Sequence, residues 1–344
     1  MPSRARRVFT LQDVAQGADV SLATASRALN GSTRRVREDL RQRVLASAAR
    51  LNYSANAQAQ AMARGHTNVV GLLVHDIADP YFSTIAAGVM RAADTHRLLV
   101  TIASTGRRPE RELEYVATLR GQRAGAVVLA GSRTDDAAQN GRLGVELAAF
   151  EATGGRVVLI SQNRLPVDTV MIENRAGARK LATELAGLGY ERFAVLAGPQ
   201  RLLTAKDRAA GFREGLGRAG IALAPDDVVA GEFTRDGGHA AMSTLLDRGL
   251  GSACVFAVND VMAVGAMAAI RDRGLRMPRD MAVAGFDDIV TLRDVTPGLT
   301  TVRLPLGDIG ATALELATLD QVERPRLRRI KGEVVLRAST PGLR

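Results

Sequence analysis

Thr10-Leu-Gln-Asp-Val-Ala-Gln-Gly-Ala-Asp-Val-Ser-Leu-Ala-Thr-Ala-Ser-Arg-Ala-Leu-Asn-Gly31 reads as two short helices joined by a tight turn. That is the build of a helix-turn-helix, whose second helix enters the DNA major groove. Thr10 is a candidate N-cap, and Val14 and Ala15 make a small apolar face. Gly17, Ala18 and Asp19 break the first helix. Ser21 caps a second helix that runs to about Leu29. Ala15, Val20, Ala25 and Leu29 are small enough to pack the pair closely. Leu22, Ala23, Thr24, Ser26 and Arg27 are left outside, where groove contacts are made. Thr10, Leu11, Ser21 and Asn30, at the helix ends, complete the candidate DNA contacts of this segment. The plainer alternative is an ordinary pair of amphipathic helices.

The flanking sequence extends the picture. Residues 37–51 form an amphipathic helix with Leu40, Val44, Leu45, Ala48 and Leu51 on one stripe. Residues 52–65 are rich in Ala and Gln. They contain good helix formers with little to bury, so a helix there is marginal on its own. Residues 1–65 hold eleven arginines against four acids, a net +7 out of +10 for the whole chain. A basic head on a near-neutral body is the charge footprint of phosphate binding. With three lysines in all, part of the arginine excess is compositional.

At 344 residues the chain fits a small head plus a large body. There is no apolar run of membrane-spanning length and no secretory signal pattern, which predicts a cytoplasmic protein. The single cysteine, Cys254, lies in the apolar run 252–258 and reads as a core residue. One cysteine excludes an intrachain disulfide, and no set of residues has metal-ligand spacing, so neither metal nor cofactor is expected.

After Gly65, short apolar runs alternate with helical stretches. Strands are predicted at Val69–Val74, Leu98–Ala103, Ala126–Ala130, Arg156–Ile160 and Thr169–Ile172. A second series falls at Phe193–Ala197, Val228–Gly231, Ala253–Val258 and Met281–Phe286. Apolar strands alternating with helices imply parallel sheets covered on both faces. Two series imply two lobes, with a ligand between them at the carboxyl ends of the strands. Asp76, Asp79, Tyr81 and Phe82 follow the first strand, and Ser161, Gln162 and Asn163 follow the fourth. Phe233, Asn259, Asp260, Phe286, Asp287 and Asp288 follow strands of the second series, and Arg208 lies early in a helix there. Asp76, Tyr81, Phe82, Gln162, Arg208, Phe233, Asn259 and Asp287 are the candidate ligand-binding residues. Asp260 and Asp288 read more simply as helix caps or solvated loop charges. Forked polar groups beside aromatic faces suit a sugar or similar polyol first and a nucleobase or nucleoside second. Substituting Arg208 or Asp287 is expected to abolish the ligand response without disturbing folding.

From Thr10 to Thr340 the chain resembles the lactose-repressor (LacI) family of transcription regulators. In the head the resemblance rests on Asp13-Val-Ala, Val20-Ser, Ser26-Arg-Ala-Leu-Asn-Gly31 and Arg43-Val-Leu45. In the body it rests on Val70-Gly-Leu-Leu-Val74, Asp79-Pro-Tyr-Phe82, Glu173-Asn-Arg-Ala-Gly177, Arg208-Ala-Ala-Gly-Phe212, Val258-Asn-Asp260, Gly285-Phe-Asp-Asp288 and Leu299-Thr-Thr-Val-Arg303. The resemblance implies an α/β chain in which an all-α helix-turn-helix head (residues 1–54) is joined by a hinge helix (55–65) to a two-lobed, periplasmic-binding-protein-like body (66–340). It places the N-lobe at 66–173 and 304–320, and the C-lobe at 174–301 and 325–340. It implies a ligand-responsive repressor of carbohydrate-metabolism genes. Its partners are double-stranded DNA with a near-palindromic operator, a small-molecule effector and a second copy of the chain. It also implies that the hinge folds when two subunits meet on DNA, with Asn56, Ala59 and Met62 among its contacts. Met62 stands where the family has a leucine wedged into a minor-groove step. Asp19 stands where the family usually has glycine, and Ala55 where it commonly has proline.

An enzyme is the first rival, but the chain has no phosphate loop, no GxGxxG after a strand, no HExxH and no GxSxG. A secreted sugar-binding protein with the same body is the second, and the basic head argues against it.

Overall fold

The computed structural model describes residues 9–30, 36–53, 66–251 and 253–343. They form two compact units, residues 1–67 and 68–344. The hinge expected at 55–65 lies outside the described residues, and with it Asn56, Ala59 and Met62.

In the first unit, α1 (Leu11–Gly17), α2 (Leu22–Asn30) and α3 (Glu38–Arg50) surround a core of Val14, Ala15, Ala18, Ala25, Ala28, Val44 and Ala48. Alanine dominates because helices this short bury enough only by packing closely. Thr10 and Asp13 form a reciprocal capping box: Thr10 Oγ1 accepts from Asp13 N, and Thr10 N donates to Asp13 Oδ2 at 2.8 Å. The turn passes through Asp19 at φ 52°, a left-handed conformation. Arg43 braces it by donating to both the Asp19 carbonyl and carboxylate at 3.2 Å. The stripe on α3 differs from expectation. Leu45 is 37 % exposed, and Ser47 takes the inward place, donating from Oγ to the Val14 carbonyl at 3.1 Å. Thr10→Ala removes one side of the capping box and is expected to lower the stability of the head by about 1 kcal/mol. The readout is faster amide exchange in α1, and unchanged exchange would remove the cap from the account.

In the second unit, the N-lobe sheet contains β1 (Val69–Val74), β2 (Leu99–Ser104), β3 (Ala126–Ala130), β4 (Arg156–Ile160), β5 (Asp168–Ile172) and β11 (Leu327–Ile330). Its order is β11-β5-β4-β3-β1-β2, parallel throughout. Helices α5 (Pro109–Gly121) and α6 (Ala137–Ala152) cover one face, over Leu119, Leu143, Leu147 and Phe150. Helices α4 (Pro80–Thr95) and α11 (Leu306–Thr318) cover the other. The C-lobe sheet contains β6 (Phe193–Leu196), β7 (Val228–Val229), β8 (Cys254–Ala257) and β9 (Ala282–Ala284), in the order β7-β6-β8-β9. Its helices are α7 (Asn174–Gly187), α8 (Leu203–Arg218), α9 (Arg235–Asp247) and α10 (Asp260–Asp272). A two-stranded antiparallel ladder, β10 (Thr301–Arg303) with β12 (Glu333–Val335), lies beside the crossovers.

The predicted strands recur with shifts of a residue or two, because buried parallel strands carry unbroken apolar runs. One assignment is corrected. The segment 325–340 was expected in the C-lobe, yet β11 pairs with β5 and so forms an edge of the N-lobe sheet. Asp168, 4 % exposed, fixes it there: its carboxylate accepts from Arg326 N at 2.6 Å and from the Arg326 and Arg156 guanidinium groups at 3.0 Å. Only after β11 does the chain return to the C-lobe, where Ser339 Oγ donates to the Val283 carbonyl. Among the described residues no helix is long and apolar enough to cross a membrane.

Candidate functional site

The head presents its candidate residues on α2. Leu22 (50 % exposed), Ala23 and Arg27 stand exposed, while Thr24 and Ser26 are half-buried. Ser21 Oγ accepts from Thr24 N at 3.1 Å and shares a hydrogen bond with the Thr24 hydroxyl at 2.8 Å. Both hydroxyls are thus engaged in capping the helix. Asn30 closes α2. Thr10 is exposed at the start of α1, and Leu11 is half-buried against the core of the head. An apolar tip, a small residue and a guanidinium on one exposed helix face can meet thymine methyls and guanine edges.

The body holds a cleft of about 620 Å³, its solvent-open mouth included. Tyr81, Phe82 and Gln162 line it from the N-lobe. Arg208, Phe233, Asn259 and Asp287 line it from the C-lobe. Seven of the eight candidate residues therefore meet there. Asp76 does not: it is exposed, and its Oδ1 accepts from Ala78 N at 3.0 Å to shape its own turn.

Arg208 is the centre of the C-lobe wall, at 1 % exposure. Its Nε donates to Asn174 Oδ1 at 2.8 Å, its Nη1 to the Val258 carbonyl at 2.8 Å, and its Nη2 to Asp287 Oδ1 at 2.7 Å. The guanidinium carbon stands 3.9 Å above the Phe286 ring. This is a preorganised fork: three elements fix it, so a ligand need not order it. Asp287 is 4 % exposed and adopts φ 124° in the sharp turn after β9. Burial pushes its carboxyl up to about 7, against the pull of Arg208. Asn259 spends its side-chain oxygen on capping α10, accepting from Met262 N at 2.9 Å.

On the N-lobe side, Asp79 caps α4 through Tyr81 N at 2.9 Å, and burial raises its carboxyl. The Tyr81 and Phe82 rings meet edge to face at 4.9 Å. Burial raises the Tyr81 phenol and keeps it a neutral hydrogen-bonding group. Burial, then Arg133 and Arg107, lower His75 to about 3, so its imidazole is neutral. The lobes also touch directly: Leu203 N donates to the Arg133 carbonyl, Thr204 N to Ser132 Oγ, and Gln162 Nε2 to Thr204 Oγ1 at 2.8 Å.

Sequence reasoning missed His75, Arg107, Ser132, Asn174 and Thr204 as cleft residues. His75 directly follows β1 and Asn174 lies two residues past β5, so the strand-end rule could have found them. Thr204 lies one helical turn before Arg208. It also placed Asp260 and Asp288 wrongly. Asp260 is fully buried, accepting from Thr301 Oγ1 at 2.7 Å and Ile289 N at 3.0 Å, and burial raises it to about 6. Asp288 pairs with Arg303 and Arg337, each at 2.7 Å.

A helix-turn-helix head and a two-lobed body with a polar cleft define a regulator whose DNA binding answers to a small molecule. The family model described as "Bacterial regulatory proteins, lacI family" matches residues 10–56, and that described as "Periplasmic binding protein-like domain" matches residues 182–340. HTH-type transcriptional regulator GalS of Salmonella typhimurium is 34 % identical, over 90 % of this chain and 89 % of its own. HTH-type transcriptional regulator GalR of Escherichia coli is 32 % identical over 97 % of both chains. Among solved structures, a lac repressor dimer bound to operator and an anti-inducer aligns with TM-score 0.82 and 27 % identity, over 97 % of this chain and 100 % of that one. A complex of the transcriptional regulator CelR with cellobiose aligns with TM-score 0.70 and 29 % identity, over 96 % and 99 %. The chain belongs to the lacI family of bacterial regulatory proteins, and it is a transcriptional regulator.

Proposed function

We propose that the chain is a cytoplasmic homodimeric repressor that binds a near-palindromic operator and is switched by a sugar in the cleft. Residues 1–54 serve as the DNA-reading head, 55–65 as the hinge and 66–340 as the body. The observation that carries the effector reading is the buried Arg208–Asp287 pair facing Tyr81 and Phe82 across one cleft. A fork of donors and a carboxylate beside aromatic faces matches vicinal hydroxyls on an otherwise apolar ring face. The relatives support the DNA side: the aligned lac repressor is a dimer on its operator. The chain acts by binding and not by catalysis. Effector binding favours one arrangement of the lobes, and the coupling equals its differential affinity for the two states.

Arg27 then forks onto a guanine edge. Arg27→Ala is expected to weaken operator binding by about 1–3 kcal/mol and to relax one base position in each half-site. Selection of binding sites from a random DNA library, with wild type and variant, measures both. Recovery of the same symmetric site by both proteins at equal affinity would show that α2 does not read bases there. Failure of the wild type to select any site would overturn the repressor reading.

A further inference from the structure

Beside the cleft, and sharing His75, Arg107 and Ser132 with it, lies a second N-lobe cavity of about 520 Å³. One side is the start of α5, at Arg108, Pro109 and Glu112. Its charge is lopsided: Arg107, Arg108, Arg133 and Arg142 line it with a single acid, Glu112. That acid is already engaged. Arg133 Nη1 and Nη2 donate to its two oxygens at 2.8 and 2.6 Å. Arg133 is only 5 % exposed, and its Nε has no hydrogen-bond partner among the described residues. The buried Nε of Arg107 has none either. Buried guanidinium N–H groups favour a partner, and here two such donors lie beside one cavity, while Arg107 Nη2 donates to the Phe233 carbonyl at 3.3 Å. The 13-residue helix α5 adds its positive end, since its N-cap, Arg108, supplies no side-chain hydrogen bond. Arg107 is held at φ 58° at the junction of the two cavities.

We propose that this cavity is a subsite for an anionic group, phosphate or carboxylate, carried by the molecule in the neighbouring cleft. The effector is then an acidic sugar derivative and not a neutral sugar. This rests on the sugar reading of the cleft and narrows it. The two cavities share His75, Arg107, Ser132 and Leu202 in their walls, so a substituent on a ring seated against Tyr81 and Asp287 has the second cavity as its neighbour. His75, neutral there, offers hydrogen bonding without competing charge.

Calorimetric titration of the full-length protein tests this with matched probes: glucose and glucose 6-phosphate, galactose and galactose 1-phosphate, ribose and ribose 5-phosphate, gluconate, and inorganic phosphate alone. An anionic member is expected to bind about tenfold or more tighter than its neutral parent, the weight of one charge-assisted hydrogen bond. Arg108→Gln and Arg142→Gln, at residues that line the second cavity and not the cleft, should each erode that preference and leave the parent's affinity unchanged. Both side chains are exposed, so the variants keep the fold. A neutral sugar that binds as tightly as its phosphate, and shifts operator affinity, overturns the subsite alone. So does an anion preference that both variants leave intact, or binding of inorganic phosphate with no gain from an attached sugar. Silence from the whole panel overturns the subsite and the sugar reading together.

Discussion

Arg208→Ala is expected to destabilise the protein by about 3–5 kcal/mol and to abolish its response to effector. The variant loses three hydrogen bonds and leaves Asp287, 4 % exposed, without its counter-charge. It also empties the space over the Phe286 ring. Reasoning from sequence predicted a lost response with intact folding. The structure changes the second half of that expectation, because the pair is a buried strut of the C-lobe as well as a wall of the cleft. Urea unfolding of wild type and variant measures the loss. The double variant Arg208→Met with Asp287→Leu separates the two roles. Apolar replacement of both partners is expected to restore most of the stability and none of the effector binding. A loss below about 1 kcal/mol in the single variant would mean that the pair is far better solvated than its burial implies.

Gly211→Ala should also be severe, although the change is one methyl group. Helices α7 and α8 cross so closely that a Cβ at residue 211 falls 2.1 Å from the Arg175 carbonyl oxygen. That atom is backbone, so the helices themselves must part. A loss of about 1–3 kcal/mol follows from such overpacking. The parting also pulls Asn174, at the start of α7, away from Arg208 Nε, now 2.8 Å from its Oδ1. Effector affinity therefore falls together with the melting temperature. Gly217, on the same helix, has nothing within 4 Å of its would-be Cβ. Gly217→Ala is expected to stabilise by about 0.5–1 kcal/mol, the ordinary helix preference of alanine. Similar behaviour of the two variants would refute the packing argument.

Much of this was legible in the residues. Runs such as Val69–Val74 and Ala126–Ala130 are apolar end to end because both faces of those strands are covered. The strand-end rule then brings seven polar and aromatic residues to one cleft. What escaped shares a physical reason. Leu327-Arg-Arg-Ile330 carries no apolar run because an edge strand faces water, and the acid that anchors it, Asp168, is far away in sequence. Asp260 looks like any helix-starting acid, and only the distant Thr301 and Ile289 make its burial tolerable. Ser47, polar by type, turns inward on α3 because its hydroxyl finds an acceptor in the Val14 carbonyl of α1, which also takes the Ala18 amide.

The late arrival of β11 shapes how the chain is made. On the ribosome, β5 emerges roughly 160 residues before its outer neighbour. At about 5–20 residues per second, that edge waits on the order of ten to thirty seconds without a partner. An unpaired, apolar strand edge is a template for joining another chain. Neither lobe matures first: the N-lobe needs α11 and β11, and the C-lobe needs Ser339 beside β9. Both close almost together, once residues 327–339 have emerged. A message cut shortly before Leu327 therefore yields no usable half-protein, but a chain with an open sheet edge, a substrate for chaperones and proteases and not a repressor with altered control.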